Sequence, residues 1–256
     1  MDRLQLGLIL GGFLLIQILY FGFDTVQLDR DVEASGEEVP SVASLDVNIA
    51  IDEAMADLDS ENRDSVTAWT EQAETGDMMS LKQLSSFWVS KNEWLLAGHY
   101  TEQIAEVQPT AENFSIAANT YATGAKMSED EDSGRSLSLR AIEMYDRAIE
   151  EMGSDFNLEL EKALLMIEFP DHENPMKGVL ALVDLSEEYP EEPRIFRELG
   201  QFSIQTGQWD RAQERLEKAY ALDQDHKRTI CLLAEVYAET GEAVKSEEFR
   251  ALCEGK

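Results

Sequence analysis

Positive charge is scarce in this chain. Its 256 residues carry 21 lysines and arginines against 52 aspartates and glutamates, a formal net charge of -31. That sign excludes a nucleic-acid partner, because a phosphate backbone is held by basic side chains. It also argues against the chain lying on an anionic membrane surface. So much acid reads as a well-solvated exterior, with an acidic groove for a basic client as the sharper alternative. Cysteine is scarcer still. Cys231 and Cys253 are the only two, with no Cys-x-x-Cys, so no zinc site is expected. A disulfide would need facing helices in one particular register. The pair is therefore read as two small, half-buried apolar residues. The three histidines, His99, His172 and His226, fall far apart with no paired nucleophile. There is no phosphate-cradling glycine loop, and nothing places two carboxylates in a closed pocket. An enzyme is not expected, nor is a cofactor or a metal.

The chain opens with one long apolar run. From Leu4 to Phe23 there is no charged side chain, a length that crosses a bilayer as a helix. Tyr20, Phe21 and Phe23 gather at its end as an aromatic belt would. No small-x-small cleavage site follows, so residues 1–23 are read as an uncleaved signal anchor. Arg3 precedes the span and Asp24, Asp29 and Asp31 follow it, which puts the N-terminus in the cytoplasm and the bulk across the membrane. Gly7 and Gly11 have the spacing of a helix-packing motif that would allow a homodimer through the membrane helix. Glycines are also simply common in such helices, and that reading is preferred. Residues 24–46 are rich in Asp, Glu and Ser and read as an acidic flexible tether.

Helical patterning starts near Val47. Ile51, Ala54, Met55 and Leu58 form one stripe, and Val66, Trp69 and Ala73 a second, which suggests a capping pair over 47–77. The clearest pattern is Pro193 to His226. Phe196, Leu199, Gly200 and Ile204 share one helix face, Gly207 marks a turn, and Ala212, Leu216, Ala219 and Tyr220 share a second face. This stretch resembles a tetratricopeptide repeat, the 34-residue helix–turn–helix unit. Phe196 stands at the family's Trp position, Leu199 and Gly200 at its Leu-Gly, Gly207 at the turn glycine and Ala212 at the small residue of the second helix. Ser203 replaces the usual Tyr and Gln224 the closing Pro. The resemblance implies an all-α, right-handed α-solenoid of such helix pairs following the transmembrane helix, because one unit cannot bury its own apolar face. The array is placed at 78–256, in units of about 78–111, 111–153, 154–192, 193–226 and 227–256. In the second, the acidic run Ser128 to Gly134 is read as a solvated insertion between helices. In the third, Leu160, Ala163, Leu164 and Ile167 give the first stripe, and Asn174 and Pro175 start the second helix.

The resemblance also implies a binding groove lined by the first helix of each unit. Its positions here include Lys82, Ser86, Ser115, Asn119, Arg194, Arg197, Gln201, Arg228 and Glu235. Arg194, Arg197 and Arg228 resemble basic positions by which some repeat proteins clamp a peptide carboxylate. The alternative is that they pair with nearby Glu198 and Glu235. The layout is similar to small, single-span repeat proteins of bacterial inner membranes. It implies an adaptor that binds other proteins or peptides at the periplasmic face. A chaperone-like holder of exported chains and an import receptor facing the cytosol are the alternatives.

Overall fold

The computed structural model describes residues 46–255. The readings on the apolar span, with Gly7 and Gly11, and on most of the tether lie outside them. Among the described residues there is no strand, and no helix is long and apolar enough to cross a membrane.

Twelve helices are seen among the described residues. They are α1 (Val47–Ala56), α2 (Ser60–Ala73), α3 (Met78–Ser90), α4 (Trp94–Val107), α5 (Ala111–Met127), α6 (Glu131–Met152), α7 (Phe156–Glu168), α8 (Lys177–Glu188), α9 (Pro193–Gln205), α10 (Trp209–Leu222), α11 (Lys227–Glu239) and α12 (Ala243–Gly255). Part of the acid explains where they begin. The carboxylates of Asp46, Asp59, Asp77, Asp130 and Asp155 each accept a backbone N–H of the helix that follows. A helix N-terminus has orphan donors and a positive dipole end, so an aspartate there satisfies both. Turns within pairs use residues that tolerate positive φ. Gly207 (φ 69°) joins α9 to α10 and Gly241 (φ 81°) joins α11 to α12, while Asn92 (φ 61°) takes the same place between α3 and α4.

From α3 onward the helices pack in pairs, and the second helix of each pair also packs against the first helix of the next. Successive apolar clusters run along the stack. One holds Leu81, Leu84, Trp88 and Leu96, and the next Phe114, Tyr121, Met144 and Tyr145. A third holds Leu160, Leu182, Ile195 and Leu199, and the last Leu216, Leu233, Tyr237 and Phe249. Phenol–carboxylate bonds tie two of the seams between pairs. Tyr121 of α5 donates to Glu102 of α4 at 2.7 Å, and Tyr237 of α11 donates to Glu217 of α10 at 2.9 Å. Burial first, then the neighbouring carboxylate, pushes both phenols above their ordinary value of 10, so they remain donors at neutral pH. Repeat four has Ser203 where the Tyr would be. Arg215 of α10 fills that space, donating to the Ser203 hydroxyl at 2.6 Å and to the Leu199 carbonyl at 3.2 Å.

The structure corrects four readings. The run Ser128 to Gly134 is not an insertion. Asp130 caps α6, and Glu131 and Asp132 form its first turn, where acid is favoured. The carboxylates thus extend a 22-residue helix instead of interrupting the pair. Helix α8 starts at Lys177, and Asn174 contributes its carbonyl to the preceding turn rather than a side-chain cap. In α7 the expected stripe packs as read, with Leu160 and Ala163 buried and Leu164 and Ile167 half-buried against the same cluster, and Leu165 and Met166 are buried as well. Helix α1 lies against α4 and does not close a hairpin with α2. Finally, Cys231 and Cys253 form a disulfide. They lie on α11 and α12 with Cα atoms 5.1 Å apart, which is the facing register a bond requires.

Candidate protein-interaction face

On the first helix of each pair, one row of side chains stays outside the core. Lys82 and Ser86 of α3 are exposed, as are Ile116, Asn119 and Thr123 of α5. Asn157 and Glu161 of α7, Arg194 and Gln201 of α9, and Arg228 and Glu235 of α11 continue it. Spacings of three, four or seven residues put each set on one helix face. The row mixes hydroxyl and amide side chains with about as many charges of both signs, and Ile116 is its one apolar member.

Cross-links between successive first helices hold this row in register. Lys126 of α5 meets Glu168 of α7 at 3.7 Å. Arg194 of α9 reaches back to α7, donating to Asn157 at 3.1 Å and Glu161 at 3.2 Å. Arg228 of α11 donates to Gln201 of α9. Arg194 and Arg228 occupy the same place in units 34 residues apart, so one repeat position makes the same kind of bond twice. Such half-exposed ion pairs stabilise little on their own, and each guanidinium has more N–H donors than these bonds use.

The remaining expected site residues divide. Asn119 accepts from the Tyr145 hydroxyl at 2.7 Å, which fixes its amide while leaving the residue exposed. Lys82 is exposed on α3. Arg197 is different: it is only 7% exposed, and its Nε donates to Glu198 at 3.4 Å. Its position corresponds, 34 residues on, to Cys231, so it sits on the side of α9 that packs against its partner helix. The three arginines therefore do not form one open cluster. Sequence reasoning missed Asn157, Glu161 and the pair Lys126–Glu168. For Asn157 and Glu161 the signal was present as the spacing of four on α7, on the face away from its apolar stripe. Among the described residues no group of His, Cys, Asp and Glu converges to hold a metal.

No protein-family model matches the chain, and no curated protein does. Solved structures do. One, from a functional characterization of Pseudomonas aeruginosa PilF, is 19% identical over 70% of this chain and 75% of that one, with a TM-score of 0.50. MamA from Desulfovibrio magneticus RS-1, residues 41 to the end, is 13% identical over 70% of this chain and 93% of that one, with a TM-score of 0.51. Identity at this level speaks for the fold alone. Taken with the helix pairs, the glycine turns and the 34-residue period, it establishes that the described chain is an α-solenoid of the tetratricopeptide-repeat type.

Proposed function

We propose that this chain is a membrane-anchored adaptor that holds peptide segments of partner proteins on its first-helix face, outside the cytoplasm of a bacterium. The observation that carries the reading is the exposed polar row from Lys82 to Arg228, braced by cross-links between helices. A pre-ordered row of amides, hydroxyls and charged side chains suits an extended backbone, because little side-chain freedom remains to be lost on binding. Arg194 and Arg228 add charge-assisted donors for an acidic side chain or a terminal carboxylate. The disulfide supports the location, since such bonds persist in the periplasm and are rare in the cytosol. It weighs against a receptor facing the cytosol. The anchor itself rests on the uncharged run Leu4 to Phe23.

The test is made in intact cells. A photo-crosslinker at Gln201 should capture partner proteins, and Arg194→Ala with Arg228→Ala should abolish that capture while Arg211→Ala, on α10, leaves it unchanged. A thiol reagent added to unreduced cell lysate should leave Cys231 and Cys253 unmodified, and a C-terminal tag should be open to protease from the periplasmic side. Equal capture by all variants would refute the binding face. Free thiols or a cytosolic tag would refute the location.

A further inference from the structure

A second groove lies between α7 and α8, away from the polar row. Its lining from α7 is Glu159, Lys162, Ala163 and Met166, a different face from Asn157 and Glu161. Helix α8 contributes Lys177, Leu180, Ala181, Asp184, Leu185 and Glu188. The groove holds about 460 Å³, within the range of ligand clefts. Its floor is apolar: Ala163, Met166 and Leu185 are buried beneath it, and Leu180 stands 54% exposed at its edge. Gly178 explains how the walls meet. A Cβ there would lie 2.7 Å from the backbone nitrogen of Ile167, so α8 is seated directly on the backbone of α7 at this end.

Charge along the groove is polarised. The start of α8 lies over the end of α7, so the two helices run antiparallel. Glu159, near the start of α7, and Glu188, at the end of α8, therefore share one end of the groove, with Asp184 one turn inward. Lys177 stands at the other end. Lys162 is the only cation near the carboxylates in the lining, and it is already engaged by Asp146 of α6. The acidic end thus has three carboxylates and no uncommitted positive charge among its lining residues. From Lys177 to Glu188 the groove is about 16 Å long at 1.5 Å per helical residue. That matches roughly five residues of extended chain at about 3.3 Å each.

We propose that this groove binds a short apolar peptide segment bearing a lysine or arginine at one end. The apolar side chains cover Leu180, Ala181 and Met166, and the cation lies among Glu159, Asp184 and Glu188. Burial of the floor supplies the attraction, and the carboxylates fix the direction of the segment. The site is independent of the first-helix face, so it stands or falls separately from that reading.

The experiment uses the full chain in lipid nanodiscs, with binding to empty discs subtracted. The probe is a fluorescein-labelled heptapeptide of two lysines followed by five leucines and alanines, and its twin carries two glutamates instead. Anisotropy should show the lysine peptide binding about 10-fold or more tightly than the glutamate peptide, the scale of one desolvated charge contact. Asp184→Lys with Glu188→Lys should reverse that preference. Leu180→Glu should weaken the lysine peptide by a similar factor. All three positions are exposed, so the variants should melt like the parent, which is checked by circular dichroism. Arg228→Ala should change nothing here. Equal binding of the two peptides, no binding above empty discs, or unchanged binding by Leu180→Glu would each overturn the proposal.

Discussion

The third and fourth helix pairs meet the same packing demand with different atoms. In the fourth, Gly200 of α9 faces a side chain: a Cβ there would lie 2.6 Å from Cγ of Leu216. In the third, Gly178 of α8 faces backbone, with Ile167 nitrogen, Met166 carbonyl carbon and Ala163 oxygen all within 2.9 Å of a Cβ. A leucine can turn within its core, whereas a helix backbone moves only by shifting the whole element. The fourth pair also keeps the family's pattern of small and large residues, and the third does not. The lesson is that a recognisable repeat signature marks side-chain complementarity, while a pair without it can be held still more tightly through its main chain.

Two measurements sharpen or break that contrast, and a third tests burial elsewhere in the stack. The largest effect is expected for Gly178→Ala, which should cost about 3 kcal/mol or more in denaturant unfolding, the upper range for overpacking a core. Gly200→Ala should cost less, about 1–2 kcal/mol, because Leu216 can yield. If the order is reversed, the distinction between backbone and side-chain contact is wrong. The smallest effect concerns pH. His99 of α4 is partly buried, and that burial, opposed by Glu102 and reinforced by Arg140, lowers its pKa below the ordinary 6.5. The unfolded chain therefore takes a proton near pH 6.5 that the folded chain refuses. Its share of stability is present above that pH and is lost as pH falls through the lowered pKa. The melting temperature should drop more across this window in the parent than in His99→Gln, and equal slopes would assign the drop to other groups.

Much of the fold was legible because apolar periodicity and turn residues are local properties. Phe196, Leu199, Gly207 and Ala212 could be aligned to a repeat without knowing any contact, and the all-α solenoid follows from them. The acidic run before Gly134 misled because composition alone does not separate a solvated loop from a capped helix start. Only the hydrogen bond from the Ser133 N–H to Asp130 decides it. Arg197 was misplaced for a related reason: the repeat pattern gives its helix face only coarsely, and burial depends on how close α10 comes. The disulfide was invisible because two cysteines 22 apart face each other only once both helices and their turn are fixed. The α7–α8 groove could not be read at all, since it exists where the third pair departs from the family's register.

The tyrosine–glutamate bonds have a consequence for how the stack comes apart. They tie the seams α4/α5 and α10/α11, and Lys162 with Asp146 joins α6 to α7. At α8/α9, among the described residues, no side-chain hydrogen bond joins the two helices, and the polar tie across that junction is the half-exposed bridge from Arg194 of α9 to Asn157 and Glu161 of α7. That seam is closed by Val179, Leu182 and Leu185 against Ile195 and Leu199. Apolar contacts hold surfaces together without fixing their angle, whereas hydrogen bonds fix both. In a linear array each unit is secured only by its neighbours, so the weakest junction decides where a loaded chain parts. Pulled from its two ends, this solenoid is expected to part first at the joint between α8 and α9, where the Arg194 bridge is the one polar tie described, and a partner lying across that bridge would act as a splint.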